Sequence, residues 1–442
     1  MVILGGGESG VGAAILCRKQ GIEVFVSDSG KIPERYKNEL KQYDIAFEEE
    51  KHSEEKILNA DEVVKSPGIP EKNELVQKIK TKGIKVISEI ELAYRHKGAG
   101  KIIAITGSNG KSTTTALTGH ICKTGGMDCA VVGNIGYSFA RQVALDPKPL
   151  YVVEVSSFQL DDIENFNADI AVLLNITEDH LDRYEYRFEN YIRSKFNIIK
   201  NQTHKDYFIY CADDPVIAKH LKIHPILSNP LPFTMQHELP KGAYVSENNM
   251  NIHLDNEEFV MSVLDFAIKG KHNQYNTMAA GLAGLTIGIR KEKIRKAVQH
   301  FEGLEKKKKK VLTVRGVEFV NDSKATNVNS TWYALESSNQ PVILILGGID
   351  KGNDYSTMLE LVKEKVKAIV CMGLDNRKIH EAFGKDVEVM VNTTSAKEAV
   401  HAAFLLASKG DVVLLSPACS SFDLFKNYED RGRQFREAVR EL

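Results

Sequence analysis

Residues 104–115, AITGSNGKSTTT, constrain the fold of this chain more than any other stretch. An apolar, β-branched run from Lys101 to Thr106 leads into a turn bracketed by Gly107 and Gly110, and a helix-like segment follows. A strand that enters a helix through a glycine-rich turn is typical of parallel α/β sheets. Successive backbone N–H groups in such a turn face one concavity at the positive end of the helix. The segment therefore predicts a phosphate-binding loop within an α/β domain.

The side chains of this loop indicate a nucleoside triphosphate. Lys111 is long enough to reach the outer phosphates, and the Ser112 hydroxyl can ligate Mg²⁺. Ile105 stands where the usual Walker spacing has a glycine, so the loop is a compact variant. We expect ATP and Mg²⁺ as cofactors. The predicted ATP-binding residues of the loop are Gly107, Ser108, Asn109, Gly110, Lys111, Ser112 and Thr113.

Short apolar runs alternate with helical stretches in three successive regions, which indicates sheets covered on both faces. The 442 residues allow for about two to four domains. The predicted fold class is α/β with three domains: a Rossmann-like N-terminal domain (1–96), a central P-loop ATPase-type domain (97–300) and a Rossmann-like C-terminal domain (301–442). Residues 225–265, rich in Pro, Asn and His, predict a small β or loop insertion.

The composition excludes few functions, but it indicates which partners and which cellular compartment to expect. The chain is 43% hydrophobic and 26% charged, which is ordinary for a globular protein. Its formal charge of −1 gives no electrostatic argument for nucleic acid or an anionic membrane as partner. Six cysteines without a CxxC pair suit a reducing compartment. No apolar run approaches the roughly 18 residues of a membrane span, so we expect a cytoplasmic protein.

The first strand is followed by a second glycine-rich turn. Gly5, Gly7 and Gly10 form GxGxxG, and Asp28 ends the next strand about 20 residues on. This spacing suits a diphosphate at a helix N-terminus with an acidic residue near a ribose. A nicotinamide dinucleotide, a uridine diphosphate compound and a bare tight turn all remain compatible with it.

Polar residues end several later strands, where open α/β sheets bind ligands. Glu154 can bind Mg²⁺ or cap a helix, and His180 in NITEDHLDRY can bind metal or be structural. Lys195 resembles a solvated helix lysine on pattern alone, and Asn134 a turn residue. Lysines and hydroxyl residues in NDSKATN (321–327), GGIDKGND (347–354) and 416–432 could hold a dicarboxylate, with ordinary turns as the alternative.

Six motifs together resemble those of one family. TGSNGKST, EVSSFQL, NITEDHLDRY, GKHNQYNTMAA, NDSKATN and SPACSSFDLFKNYEDRG occur in this order and are similar to those of the Mur ligases of peptidoglycan synthesis. The resemblance covers nearly the whole chain. SSFQL, NDSKATN and the C-terminal motif are most similar to the branch that adds D-glutamate to UDP-N-acetylmuramoyl-L-alanine through an acyl phosphate. The resemblance also implies a monomer that acts on small molecules.

The resemblance assigns roles to individual residues of this chain. The implied catalytic residues are Lys111, Glu154, His180 and Lys195, and the implied metal ligands are Ser112, Glu154, His180 and Lys195 if it is carbamylated. Asn273, Asn276 and Asp322 would complete the ATP site. The UDP-substrate would contact Gly7, Glu8, Ser9, Asp28, Ser29, Asn134 and Ser156. D-Glutamate would contact Lys324, Thr326, Lys351, Ser421 and Tyr428.

One stretch departs from the family. The family usually has His-Arg and then Glu after FEGL (301–304), but this chain runs EKKKKK, with Lys306, Lys307 and Lys309 at those positions. Lysine lacks the planar fork for bidentate phosphate contact, so we assign no site residue there. A sister ligase, a folylpolyglutamate synthetase, a nicotinamide-dependent dehydrogenase and a non-catalytic paralogue remain as alternative functions.

Overall fold

The computed structural model describes residues 1–255, 257–302, 309–336, 338 and 340–442. Lys306 and Lys307 lie outside the described residues, and Lys309 is described only as the backbone of a strand. The chain forms two compact units, Met1–Glu178 with Arg183–Gly303, and Asp179–Asp182 with Leu304–Leu442. The domain limits 96/97 and 300/301 stay a prediction.

The N-terminal sheet has five parallel strands in the order β3-β2-β1-β4-β5. Its strands are β1 (Val2–Leu4), β2 (Phe25–Ser27), β3 (Ala46–Glu48), β4 (Glu62–Lys65) and β5 (Lys85–Ser88). Its helices are α1 (Glu8–Lys19), α2 (Glu34–Gln42), α3 (Glu54–Leu58), α4 (Glu74–Thr81) and α5 (Glu89–His96). The strand order reverses between β1 and β4, which is the point where such sheets bind ligands.

The second sheet has nine strands in the order β14-β13-β12-β11-β10-β9-β6-β8-β7. The strands are β6 (Lys101–Thr106), β7 (Cys129–Gly133), β8 (Leu150–Glu154), β9 (Ile170–Leu173), β10 (Tyr207–Cys211), β11 (Asn229–Thr234), β12 (Gly242–Ser246), β13 (Asn249–Leu254) and β14 (Glu257–Ser262). The helices are α6 (Lys111–Thr124), α7 (Phe139–Leu145), α8 (Ser157–Asp161), α9 (Phe188–Phe196), α10 (Pro215–Ile223), α11 (Lys271–Thr286) and α12 (Lys291–Gln299).

Strand β6 lies between β8 and β9, and its apolar side chains are buried, as are those of both neighbours. Burial on both faces explains the uninterrupted apolar runs of these strands. The predicted insertion is β structure: β13 and β14 extend the sheet by antiparallel pairing. No helix in the described part of the chain is long and apolar enough to cross a membrane.

The third sheet has six strands in the order β15-β16-β20-β17-β18-β19, parallel except for the β15–β16 hairpin. Its strands are β15 (Lys309–Val314), β16 (Val317–Asn321), β17 (Val342–Leu346), β18 (Val366–Met372), β19 (Val389–Thr393) and β20 (Val412–Leu415). Its helices are α13 (Val328–Glu336), α14 (Leu359–Lys365), α15 (Arg377–Phe383), α16 (Ala396–Leu406) and α17 (Tyr428–Arg440). The three α/β sheets confirm the predicted fold class.

Candidate active site

The predicted phosphate loop joins β6 to α6 at the centre of the second sheet. Gly107 and Gly110 have φ values of 154° and 80°, which glycine adopts without the strain that a Cβ brings. Gly110 precedes the first helical residue, Lys111, and Ser112 and Thr113 complete that turn. The N-terminus of α6, which carries the positive end of the helix dipole, therefore follows the loop directly, as in other anion-binding sites.

Side chains from the NITEDHLDRY segment hold the loop in this shape. Asn175 accepts a hydrogen bond from the Asn109 N–H (2.8 Å) and donates one to the Asn109 carbonyl (3.1 Å). The Ser108 hydroxyl donates to the Thr177 carbonyl at 2.9 Å and lies 3.0 Å from the Tyr191 hydroxyl. Ser108 and Asn109, predicted to bind ATP, thus use these groups to shape the loop. These contacts fix the backbone conformation of the loop.

The asparagines of α11 reach the same loop. Asn276 accepts from the Thr114 hydroxyl (3.1 Å) and donates to Asn273 Oδ1 (3.1 Å). A Cβ on Gly110 would lie 2.4 Å from Asn276 Oδ1, so the glycine is also needed for this close approach. Both asparagines are buried. The structure therefore brings Asn273 and Asn276 to the phosphate loop, as expected for one nucleotide site.

Two lysines converge on one carbonyl of the loop. Lys111 Nζ donates to the carbonyls of Gly107 and Ser108, each at 2.8 Å. Lys195 Nζ donates to the same Gly107 carbonyl (2.9 Å) and to the Thr106 hydroxyl (3.2 Å). Lys195 is only 2% exposed, so it is not the solvated helix lysine that its local pattern indicates. Its amine lies beside the loop, where a modification could place new ligand atoms.

Glu154 carries the strongest sign of a metal site. It is 1% exposed; Oε1 accepts from Asn134 Nδ2 (3.0 Å), while Oε2 is buried and has no hydrogen-bond partner among the described residues. A buried carboxylate oxygen is costly unless a donor or a cation satisfies it. The described residues contain no cluster of three His, Cys, Asp or Glu side chains suited to a metal. One carboxylate and the Ser112 hydroxyl still fit Mg²⁺, which binds few protein ligands alongside substrate phosphates.

His180 belongs to the other compact unit, through the short segment Asp179–Asp182. It has a positive φ of 55°. Lys351 Nζ lies 3.4 Å from His180 Nδ1 and 3.6 Å from Asp179 Oδ1. Asn327 Nδ2 donates to Asp179 Oδ2 at 3.1 Å. One residue predicted to bind metal and one predicted to bind D-glutamate are thus neighbours within this unit.

A cavity of about 400 Å³ lies at the carboxyl edge of the N-terminal sheet. Five predicted UDP-substrate residues line it, Gly7, Glu8, Ser9, Asp28 and Ser29, together with His52, Asn73 and the loop Ser66–Ile69. Asp28 accepts from the N–H groups of Gly6 (2.6 Å) and Gly30 (2.8 Å), so it orders the glycine turn. The other two predicted residues, Asn134 and Ser156, lie after β7 and β8 of the second sheet, and Ser156 caps α8.

Arg141 of α7 holds one wall of this cavity. Its Nε and Nη2 donate to the two carboxylate oxygens of Glu8 at 2.7 and 3.0 Å, and Nη1 pairs with Glu39. Helix α1 approaches α7 closely, since a Cβ on Gly12 would lie 1.9 Å from Ser138 Oγ. Sequence reasoning missed Arg141. No motif contains it.

The residues predicted for D-glutamate follow three adjacent parallel strands, β16, β20 and β17. Lys324 and Thr326 follow β16, Lys351 follows β17, Ser421 follows β20, and Tyr428 begins α17. Asp322 accepts from the Ser416 hydroxyl at 3.1 Å, which joins the ends of β16 and β20. The sheet thus presents these side chains at one edge.

Arg431 connects the loops after β16 and β20. It lies in the C-terminal motif, but the sequence predicted no role for it. It is fully buried; Nε and Nη2 donate to the hydroxyl (3.0 Å) and carbonyl (2.9 Å) of Ser323, and Nη1 to the Cys419 carbonyl (3.1 Å). Burial lowers the pKa of Arg431 to about 10. A second cavity, of about 500 Å³, lies beside these loops and is lined by residues such as Asp350, Lys378 and Asp423 rather than by the predicted contacts.

Three family models match this chain in series. The Mur ligase MurD-like N-terminal domain matches residues 1–88, the Mur ligase middle domain matches 105–284, and the Mur ligase glutamate ligase domain matches 305–419. Together they account for most of the chain.

Named relatives and solved structures agree with these matches. The chain is 54% identical over 442 residues to a UDP-N-acetylmuramoylalanine–D-glutamate ligase from Christiangramia forsetii, covering 100% of this chain and 99% of the relative. It is 52% identical to the ligase of the same name from Bacteroides fragilis, with 100% and 99% covered. Among solved structures, the UDP-N-acetylmuramate–alanine ligase from Thermotoga maritima aligns with a TM-score of 0.64 at 17% identity, covering 100% of this chain and 99% of that one.

Proposed function

The chain belongs to the Mur ligase family, and we propose that it is an ATP-dependent ligase that joins D-glutamate to UDP-N-acetylmuramoyl-L-alanine. The observation that carries this proposal is the 54% identity, over the whole chain, with a relative named for this reaction. The reaction belongs to peptidoglycan precursor synthesis. In this proposal the phosphate loop would bind ATP, the cavity behind GxGxxG would bind the UDP-substrate, and the lysine-bearing loops after β16 and β17 would bind D-glutamate.

The chemistry follows from the reactivity of a carboxylate. The alanyl carboxylate is a poor electrophile, so one of its oxygens first attacks the γ-phosphorus of ATP, and the bond to ADP breaks. The resulting acyl phosphate is attacked by the amine of D-glutamate. The tetrahedral intermediate then expels phosphate and the amine loses a proton, which leaves an amide. The protein contributes mainly positioning and charge neutralisation.

Residues around the phosphate loop would carry the first step. The loop N–H groups and Lys111 would hold the triphosphate, and Asn273 and Asn276 would contact the nucleoside, with Asp322 near the ribose. Mg²⁺ would neutralise charge on the phosphates when bound. We propose Ser112, Glu154 and His180 as its ligands, with a carbamate on Lys195 as a further oxygen donor. The buried, unpartnered Glu154 Oε2 supports this assignment.

The remaining site residues would bind the two other substrates. Gly7, Glu8, Ser9, Asp28 and Ser29 would surround the uridine diphosphate, and Asn134 and Ser156 would face the muramoyl-alanine end. Cationic Lys324 and Lys351, with the hydroxyl groups of Thr326, Ser421 and Tyr428, would match the two carboxylates of D-glutamate. We further propose that the ligase works as a monomer, with neither nucleic acid nor membrane as a partner.

The direct test is phosphate release from ATP and Mg²⁺ in the presence of UDP-N-acetylmuramoyl-L-alanine. We expect release with D-glutamate and not with L-glutamate, L-alanine or a diamino acid. Release that depends on another amino acid would move the protein to a sister ligase. If none of these acids gives release, and added bicarbonate, which could restore a carbamate on Lys195, does not rescue it, the proposed activity is wrong.

A further inference from the structure

The loop that follows β4 forms one wall of the 400 Å³ cavity. Ser66 N–H donates to the Leu4 carbonyl at 3.0 Å, and Ile69 N–H donates back to the Ser66 carbonyl at 3.0 Å. These bonds close a turn over Ser66–Ile69, and neither of them uses the carbonyls of residues 67–69. The position of this wall therefore depends on what those carbonyls contact.

A single guanidinium group donates hydrogen bonds to all three carbonyls. Arg183 Nη2 donates to the carbonyls of Pro67 (3.2 Å) and Ile69 (3.1 Å), and Nη1 to that of Gly68 (3.3 Å). Three neighbouring carbonyl dipoles that point at one place repel each other unless a cation lies there. The planar fork of arginine can bond to all three at once, which the single ammonium of lysine cannot do with the same geometry.

The position of Arg183 is itself fixed by a contact with Phe158 of helix α8. Its guanidinium lies 4.3 Å from the centre of the Phe158 ring, a cation–π distance. Phe158 stacks on Tyr184 at 6.0 Å, and the Tyr184 hydroxyl donates to Asp161 at 2.9 Å. The contact is thus built into α8 and is not a chance approach of two surface groups.

A buried ion pair supports the same loop. Lys65 Nζ lies 2.9 Å from Asp162 Oδ2 and donates to the Ile69 carbonyl at 3.4 Å, and both charged side chains are about 5% exposed or less. Two contacts therefore join this wall of the cavity to the part of the chain that forms the second sheet. One is the Arg183 guanidinium and the other is the Lys65–Asp162 ion pair. Neither arginine nor ion pair lines the cavity itself.

We infer that Arg183 is a positioning residue for the UDP-substrate, because it holds the Ser66–Ile69 wall in its binding conformation. The C=O and N–H groups of a trans peptide point in opposite directions. With the Pro67 carbonyl on Arg183, the Gly68 N–H, which belongs to the same peptide, is directed away from the guanidinium. This inference rests on the proposed function, since it assumes that the cavity binds the uridine diphosphate part.

The test compares R183K and R183Q with R187K, an exposed arginine of the same segment that serves as the control. The dissociation constant of UDP-N-acetylmuramoyl-L-alanine is measured by calorimetry without ATP or D-glutamate. We expect R183K and R183Q to raise it about 10-fold or more, while R187K and the affinity of every variant for ATP change by less than about 2-fold. In turnover, KM for the UDP-substrate should rise more than kcat falls.

A second variant keeps the arginine and loosens it. F158L removes the ring beneath the guanidinium, and we expect a smaller increase in the same dissociation constant, with ATP affinity kept. This variant decides the question if both Arg183 variants fail to fold. Unchanged UDP-substrate affinity in the folded variants would overturn the inference. Failure of the wild-type protein to bind the UDP-substrate would instead count against the proposed function.

Discussion

Two buried glutamates show how differently one residue type is used in this protein. Glu154 and Glu89 each have a buried carboxylate oxygen for which the described part of the chain offers no hydrogen-bond partner. Glu154 ends β8 beside Asn134 and the phosphate loop's strand, where a cation would satisfy it. Glu89 begins α5, and its other oxygen accepts from the Ala140 N–H at the start of α7. Burial, with a smaller effect from the charge of Glu8, raises the pKa of Glu89 from 4.5 to about 7.

Replacing Glu89 by glutamine should alter the pH dependence of stability. Because the folded-state pKa of Glu89 is raised, its favourable contribution is complete below pH 4.5 and is lost as the pH rises through about 7. The free energy of unfolding of the wild type should therefore fall relative to that of E89Q, by about 3 kcal/mol between acidic and mildly alkaline pH. Urea unfolding at several pH values measures this. The exposed Glu292→Gln serves as the control, and parallel curves for wild type and E89Q would contradict the prediction.

The motif residues could be predicted from the sequence, but their partners could not. Lys111 and Ser112 are recognisable because strand, glycine turn and helix occur within a dozen residues. Asn175, Arg141 and Arg431 act on residues 66, 133 and 108 positions away, respectively. A single sequence does not show which residues so far apart along the chain are in contact. Only Asn175 and Arg431 lie in a recognised motif, which was the one available signal.

At the scale of elements, the accuracy of the predicted strand bounds depends on local features such as helix caps and prolines. The sequence predicts strands over residues 2–4 and 317–322, and these correspond to β1 and, to within one residue, to β16. The sequence YVVEVSS (151–157) also predicts a strand, but the strand ends at Glu154 because Ser156 and Gln159 form a capping box that begins α8. Strand β11 contains Pro230 and Pro232, yet it lies inside the sheet. It pairs with β12 only at Phe233 and Thr234, so the prolines leave no bond to β12 unmade.

Helix α17 depends on Arg431 for its attachment to the loops that carry Ser323 and Cys419. We expect R431M to lower the free energy of unfolding by about 2–4 kcal/mol, because it leaves buried carbonyls without donors. KM for D-glutamate should rise as well, since Ser323 and Lys324 share a loop. Chemical denaturation and steady-state kinetics measure both effects.

Arg433 offers the matched control on the same helix. It is 55% exposed and pairs with Asp430 and Glu437, so R433M should change the free energy of unfolding by no more than about 0.5 kcal/mol. Equal losses in R431M and R433M would show that the helix, rather than the buried contacts of Arg431, carries the effect.

At the scale of the whole molecule, the proposed function assigns one substrate to each of the three sheets. Each predicted binding region lies at the carboxyl ends of parallel strands: the cavity after β1 and β4, the phosphate loop after β6, and the lysine loops after β16 and β17. The rule that open α/β sheets bind ligands at these ends is the basis on which the sequence predicts the three regions. The reaction proposed for the chain requires that the alanyl carboxylate be phosphorylated before the amide forms.

Isotope transfer tests that requirement most directly. UDP-N-acetylmuramoyl-L-alanine labelled with ¹⁸O in its alanyl carboxylate is turned over with ATP, Mg²⁺ and D-glutamate, and the released phosphate is analysed by mass spectrometry. Attack of the carboxylate on the γ-phosphorus and later loss of phosphate from the acyl carbon move one labelled oxygen into each phosphate. We therefore predict one ¹⁸O per phosphate released in step with amide product. Unlabelled phosphate accompanied by amide product would contradict the acyl-phosphate account.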